Sequence, residues 1–492
     1  MVTSIDVPTT RPETGPFELP PVDPPRAAPP TSLWRGDSSR LVIGIFATVF
    51  LVAFEAMAVA AAMPIAAADL DGLGLYAWSF TGFLVASLVA MVAAGEVADR
   101  VGPRRPLFGG VAVFIGGLVL AGAAQSMVPF VLARAIQGIG GGFIIVALYL
   151  VVARAFDEDV RPRVFAVMAA GWVLPSVVGP TVAGYLAENV SWRWVFLGLA
   201  PLVVPTTALM LGRLRALDGP SAVAGAVQSA SVRGPRRVVF AVLAAIGVAL
   251  VQLAGQDLAW TSLAIAAAGV GLLIPSLRPL LPAGALRLRR GLPTSVVMRG
   301  LLAASFFGAE TFIPLMLVEH KGLPATYSGL SLTSGALGWA AGSWFQSRSG
   351  LRLPRHRIVQ LGASLVTAGI VAVAVVLVGD LPVWLVAAGW VVAGSGMGLG
   401  MTSTSVLVMQ QSPTSDQGAN AAALQISDST QSVLFIGLGG TVLAAGGGEA
   451  AGSGTFLIIF VVMAAVGLFA ALVAPRVASP SAATGATEAP VP

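Results

Sequence analysis

No cysteine occurs among the 492 residues, so disulfides, thiolate metal sites and thiol catalysis are excluded. Lysine appears once, at Lys321, against an abundance of arginine and alanine, a bias typical of GC-rich bacterial genomes. There is no Gly-x-x-x-x-Gly-Lys-Ser/Thr phosphate loop, which argues against direct drive by ATP. There is no Asp-x-x-Asp cluster to hold a metal diphosphate, and only two histidines, His320 and His356. A membrane-embedded prenyl or glycosyl transferase would need such a set, so an enzyme is the weakest reading, and no metal site is expected. Charge is also scarce: 10% of residues carry it, against roughly a quarter in soluble domains.

What the chain has instead is apolar content, 56% of residues, arranged in runs of about 20. That length crosses ~30 Å of hydrocarbon at ~1.5 Å per residue. The runs fall at about 41–66, 77–98, 106–125, 129–154, 162–187 and 194–212, then 238–254 and 259–277. Six more follow at about 295–318, 326–346, 358–379, 382–409, 418–443 and 454–474. The expectation is an all-α transmembrane protein of fourteen helices. Residues 1–36, with nine prolines and no apolar run, read as a disordered cytoplasmic tail rather than a signal peptide. A six-helix bundle is expected over 37–215, a linker with two additional helices over 216–293, a second six-helix bundle over 294–475 and a disordered tail over 476–492.

The net charge of +5 does not point to nucleic acid, because the arginines sit in short loops with no aromatic-bearing polar face. With the amino terminus inside, the cytoplasmic loops collect Arg100, Arg104 and Arg105, then Arg154, Arg161 and Arg163, Arg213 and Arg215, and Arg233, Arg236 and Arg237. Beyond the central pair they collect Arg287, Arg289, Arg290, Arg348, Arg352, Arg355 and Arg357, while the outer loops hold only Arg193 and Lys321. This asymmetry is the positive-inside pattern, and it requires the central pair to be a complete hairpin with both termini cytoplasmic. His320 and His356 then lie on opposite sides of the membrane.

The halves repeat weakly. Phe54-Glu55 on the first helix is matched by Ala309-Glu310 on its counterpart, and the fourth helices carry glycine clusters at Gly138–Gly142 and Gly394–Gly400. Repeats of this kind place a substrate path between them. The glycine clusters by themselves signify close helix packing.

Between the second and third runs stands Gly95-Glu96-Val97-Ala98-Asp99-Arg100-Val101-Gly102-Pro103-Arg104-Arg105. It resembles the cytoplasmic signature of the major facilitator superfamily, Gly-x-x-x-Asp-Arg-x-Gly-x-Arg-Arg, with Pro103 a departure. Asp99 can cap a neighbouring helix and pair with an arginine, and the glycines permit a tight turn, so the loop reads as a conformational latch. Its second-half copy is degenerate, with Gln346 near the place of the acid. Arg134-Ala135-Ile136-Gln137-Gly138 resembles the family's second signature, which implies a part in proton transfer for Arg134. An arginine there costs roughly 2.5–3.5 kcal/mol to insert and should face a partner or water; snorkelling to the interface is the plainer alternative.

Gly171, Pro175, Gly179, Pro180, Ala183 and Gly184 resemble the antiporter signature of drug exporters, with Pro175 and Ala183 where glycines are usual. Trp192-Arg193-Trp194-Val195-Phe196 is similar to a segment at the start of their sixth helix, and also reads as an interfacial anchor. Glu55, nine residues before Pro64, is similar to the acid of the fourteen-helix drug:proton antiporters, with glutamate for aspartate and Met57 for threonine. The resemblance covers about 40–475 and implies a major facilitator fold with two extra central helices.

Three acids lie inside apolar runs: Glu55, Glu310 and Asp428. As charges they would together cost on the order of 8–10 kcal/mol by the insertion scale, so they should line a watery cavity or stay protonated. They are the candidates, with Arg134, for proton coupling. Gln425, Asp428, Gln431 and Ser432 form one polar stripe at spacings of three and four. A substrate cavity is expected from Phe54, Met57, Gln137, Phe306, Phe307, Gln425 and Gln431, helped by Met63 and Phe312 and suited to lipophilic cations. The resemblance implies multidrug efflux by antiport at the bacterial inner membrane, as a monomer, with the proton gradient as energy source and no cofactor. A dedicated exporter of a lipid or secondary metabolite is the alternative, and a lipid substrate would call for a cavity opening sideways to the bilayer between the halves. Nothing polar in the central pair speaks for a transport role, and Asp257 and Glu188 read as solvated.

Overall fold

The computed structural model describes residues 36–215, 235–256, 259–348, 353–379, 381–413, 416–448 and 451–479. The expected tails up to 35 and from 480, Arg233, Asp257 and Arg352 lie outside the described residues. Every regular element described is helical. In chain order these are α1 (Gly36–Asp69), α2 (Tyr76–Val101), α3 (Arg104–Gly122), α4 (Met127–Ala155) and α5 (Arg161–Leu186). The next expected run is broken into α6 (Arg193–Leu197), α7 (Leu199–Ala208) and α8 (Leu211–Arg215). The central pair is α9 (Pro235–Ala254) and α10 (Trp260–Leu277). The second set is α11 (Leu292–Leu315), α12 (Ala325–Ser347), α13 (Arg355–Val378), α14 (Trp384–Gln411), α15 (Gln417–Ala445) and α16 (Ser453–Val473).

Each helix satisfies its own backbone polar groups, which hydrocarbon demands. Proline punctuates the starts: α5 and α11 carry one in the first turn, and Pro324 and Pro354 immediately precede α12 and α13. Among the described residues, eleven helices are long and apolar enough to cross a membrane. The other three expected runs are helical but different in character. One is the broken Arg193–Ala208 stretch; the others are α12 and α15, diluted by serine, threonine, glutamine and glycine. Their polar residues sit on buried faces, Ser328, Ser331 and Thr333 on α12 and Ser427, Ser429 and Thr430 on α15, where neighbouring helices rather than lipid meet them.

Packing follows one scheme in both sets. The fourth helix lies between the second and third (α4 between α2 and α3, α14 between α12 and α13), while the first packs on the fifth (α1 on α5, α11 on α15). The glycines of the fourth helices face neighbouring backbones: a Cβ on Gly142 would meet Ser87 O, and one on Gly396 would meet Gly362 O. Between helices in a bilayer the drive is van der Waals contact, which small residues maximise.

The two sets meet along α5 with α12, α2 with α15, and α1 with α11 and α12. The hairpin α9–α10 leans on the α2–α15 seam through Leu88, Val248, Leu273, Ile426 and Val433. Burial separates the extremes: 83% of the most apolar stretch of α11 is buried, against 17% of that of α10. Thus α11 is central and α10 lies at the periphery.

Arg476 and Val477, expected to belong to the carboxyl-terminal tail, are held against the bundle. Gly291 N donates to Arg476 O at 2.9 Å and Gln411 Nε2 to Val477 O at 2.7 Å, so the first residues past α16 are tied to α11 and α14.

Candidate functional site: two ion pairs inside the helix bundles and a central glutamate

Glu55 sits in the middle of α1 with no solvent exposure, and Arg134, in the second turn of α4, is 2% exposed. Arg134 Nη1 donates to Glu55 Oε1, and also to Gln137 Oε1 at 2.7 Å. Its Nε donates to Ser79 O at 3.0 Å, and the guanidinium lies 4.7 Å above the centre of the Phe83 ring. The arginine expected to need a partner therefore has one inside the bundle, and snorkelling is ruled out. Glu55, Arg134 and Gln137 come from one helix pair, α1 and α4, and form a single cluster. Two polar atoms in it remain unmatched: Glu55 Oε2 and Gln137 Nε2 are buried without hydrogen-bond partners. Gln137, expected to face substrate, is instead committed to Arg134.

A second pair occupies the other half. Asp428, on α15, meets Arg299, on α11, at 3.2 Å. Arg299 Nη1 also donates to Ser405 Oγ at 2.7 Å and Met401 O at 3.4 Å on α14. Sequence reading missed Arg299, although the signal was available: an arginine inside an apolar run should find a partner, the reasoning applied to Arg134. The stripe around Asp428 is only partly shared in space. Gln431 Nε2 donates to Val297 O at 3.3 Å and to Ser427 Oγ at 2.8 Å, so this amide fastens α15 to α11. Gln425 is exposed, while Ser432 is buried with its hydroxyl unpartnered.

Glu310 stands apart from both pairs, half-buried on α11, with the indole of Trp390 beside it but short of hydrogen-bonding geometry. Around Trp390 is an aromatic cluster: Phe306 stacks on it at 4.6 Å, and Trp339 meets Phe306 edge-on at 5.8 Å and Phe307 at 6.1 Å. The expected substrate cavity is corrected here. Phe306 is 2% exposed, and Phe312 and Met63 are fully buried in the core. Of the apolar members of that set, Phe54, Met57 and Phe307 remain half-exposed.

The latch residues close α2 and open α3. Gly102 has φ +81° and ψ 169°, a conformation effectively reserved for glycine, and its N–H donates to Ala98 O to end α2. Gly95 is different: a Cβ there would meet nothing, so close packing does not demand glycine at that position. Arg100 reaches Glu96 at 3.9 Å, Arg105 is exposed, and the Asp99 side chain lies outside those described. In the degenerate copy, Gln346 is buried and accepts from Ser403 Oγ at 2.5 Å.

The antiporter-motif helix α5 has two working faces. Gly171 and Gly179 lie against α1, at Val49 and Phe54, whereas Gly184 faces Ala325 O on α12. Across the same seam Thr181 and Thr333 are 3.0 Å apart, and Thr333 Oγ1 donates to Val177 O at 2.8 Å. Glu188, read as solvated, accepts from Thr326 Oγ1 at 2.7 Å and so bridges the two halves. On the α2 side Tyr76 Oη donates to Thr311 O at 2.9 Å. The contacts between the halves, from α5 and Glu188 to α12 and from Tyr76 to Thr311, lie toward the end away from the arginine-bearing loops, and there the halves meet. Trp192 is buried against the bundle, where with Arg193 it holds Asp69, at 2.9 and 2.7 Å, and Trp194 is the exposed aromatic.

Comparison with known proteins agrees with this architecture. The sequence pattern of the Major Facilitator Superfamily matches residues 45–430. A multidrug transporter of Bacillus subtilis, MdtP, is 27% identical over 60% of this chain and 54% of its own length. The chain thus spans about half the length of that relative. A probable multidrug-efflux transporter of Mycobacterium tuberculosis is 28% identical over 89% of this chain and 96% of its own. Among solved structures, a POT family transporter, PepTSo, superposes with a TM-score of 0.66 at 14% identity, covering 91% of this chain and 99% of its own. The nucleoside transporter NupG gives 0.60 at 12% identity, covering 89% and 100%; both likenesses concern the fold alone. With helices that pack in two matching sets, buried charges paired within each set and a family pattern spanning most of its length, this multi-pass membrane protein belongs to the Major Facilitator Superfamily.

Proposed function

We propose that the protein is a proton-coupled antiporter that exports lipophilic, cationic small molecules by alternating access, acting as a monomer in a bacterial inner membrane with both termini cytoplasmic. The observation that carries this reading is the fully buried Glu55–Arg134 pair. Protonating Glu55 removes its charge and frees Arg134 from its only carboxylate partner in the cluster. A proton arriving at this site therefore changes the interaction holding α1 to α4. Because α1 also touches α11 and α12 across the interface, a change there can bias which end is closed. Glu310 supports the substrate side: a half-buried carboxylate one turn along α11 from the half-exposed ring of Phe307 suits a lipophilic cation through charge and a ring face. The multidrug names of the bacterial relatives point the same way. No cofactor enters this cycle; the proton gradient supplies the energy.

The dedicated lipid-exporter reading asks for a sideways opening between the halves. A sideways cavity of about 530 Å³ does exist, but it lies between the central hairpin and α15, away from the acids. The test is dye transport in proteoliposomes under an imposed pH gradient. Wild type should move a lipophilic cation against its gradient, Glu55→Gln should lose the response to pH, and Glu310→Gln should lose cation uptake. If wild type moves no cation from a broad panel, the multidrug reading fails. If both variants respond fully to the gradient, the assignment of the coupling residues fails.

A further inference from the structure

The central hairpin holds more than its sequence promised. Between its tip and the outer face of α15 is the cavity of about 530 Å³, within the roughly 300–1,000 Å³ typical of small-molecule sites. Val248, Val251 and Leu263 line it from the hairpin, and Val433, Leu434 and Leu438 from α15. Its mouth is marked by Trp260, 89% exposed, and Leu263, 63% exposed, so it opens toward the bilayer. No charged side chain appears among the described residues that line it.

One polar group in this apolar wall is unsatisfied. Gln252, in the last turn of α9, is 4% exposed, and its Nε2 is buried with no hydrogen-bond partner. Leaving such a donor unmatched is costly, which marks the place where an acceptor is wanted. Ser262 and Thr441 also line the cavity, and Thr441 Oγ1 donates to Gly437 O at 3.1 Å, but neither hydroxyl is hydrogen-bonded to Gln252 Nε2. A lipophilic cation is a poor occupant, because nothing charged awaits it.

We propose that this cavity binds one acyl chain of a bilayer lipid, with the ester carbonyl of that chain accepting from Gln252 Nε2. The depth fits: Trp260 opens α10 at the hairpin tip, the headgroup level at which amphipathic rings settle, and Gln252 lies just inside it. The lipid headgroup stays outside, which accounts for the lack of charge in the cavity. The hairpin tip is itself anchored: with its amide oriented to satisfy both partners, Gln256 donates to Gly74 O at 3.1 Å and accepts from Trp78 Nε1 at 3.3 Å. The hairpin tip is therefore fixed against Gly74 and Trp78 by contacts that the lipid does not have to supply. The site does not depend on what the carrier transports.

The full chain, reconstituted in phosphatidylethanolamine–phosphatidylglycerol vesicles doped with a phospholipid bearing an acyl-chain diazirine, can be irradiated and its adducts mapped by mass spectrometry. Adducts should concentrate on Leu434 and Leu438, which line the cavity, and exceed those on Leu468 and Leu472 of α16, although these two are the more exposed. Ala266→Phe, which fills the cavity from the peripheral helix, should abolish the α15 adducts and leave those on α16. Gln252→Leu should weaken occupancy about fivefold, the worth of one neutral hydrogen bond. If labelling is even over the apolar surface, or survives Ala266→Phe at wild-type level, the site does not exist. If a transported cationic dye, but not unlabelled phospholipid, displaces the adducts, the cavity belongs to the cargo and the lipid assignment falls.

Discussion

Charge inside a hydrocarbon slab is tolerated when a partner accepts it, and both halves of this protein solve that problem with one arginine each. Removing one member of a buried pair leaves the other uncompensated, typically at about 3–5 kcal/mol. Glu55→Ala or Arg134→Ala should therefore lower the thermal midpoint in detergent more than the double variant does. An additive loss would mean that the pair is not coupled. The latch offers a second contrast between two glycines of one motif. Gly102→Ala forces a side chain into a conformation that costs on the order of 1–3 kcal/mol. Gly95→Ala meets open space in a helix and should stabilise by roughly 0.5–1 kcal/mol. Unfolding midpoints of the two variants should move in opposite directions. Glu55, Arg134 and Asp428 were legible as exceptional because each violates its apolar surroundings. That Gln137 is spent on Arg134 was not, because the sequence gives no distance between side chains on different turns or helices.

Among the helices, α5 carries the contact that closes the molecule. Its approach to α12 at Gly184 and Gly329 is so close that a side chain on either would strike backbone on the other helix. The absence of native cysteine makes this directly measurable. Thr181→Cys with Thr333→Cys, whose hydroxyls are 3.0 Å apart, should cross-link readily under mild oxidation and stop transport until reduced. Adding Gly184→Leu should suppress the cross-link by wedging the seam; unchanged cross-linking would show that α5 and α12 do not meet there in the resting carrier. The small-residue rhythm of α5 announced close packing in the sequence. Which residues face α1 and which face α12 was hidden, because both sets are small and only the angular position around the helix separates them.

For the molecule as a whole, the hairpin α9–α10 is peripheral to the path between the halves, since α2 and α15 touch each other directly. Replacing 235–277 by a flexible linker should give a carrier that still runs as a single species in gel filtration and still transports. Its thermal midpoint should be lower, because the apolar surface around Leu88, Ile426 and Val433 is handed back to lipid. A variant that aggregates would make the hairpin integral to the fold. Fourteen apolar runs, the cytoplasmic signature and the antiporter signature were already enough to expect this architecture, since hydrocarbon thickness and backbone hydrogen bonding leave a helix no alternative. The sequence could not say that α11 would be the most buried helix while α10 faced outward, that Phe306 and Phe312 would fill the core, or that Gln252 would border a cavity. Hydrophobic composition looks alike whether a residue meets lipid, a neighbouring helix or a void. Only the tertiary arrangement, set by which small faces can approach and which charges must meet, assigns each apolar side chain its neighbour.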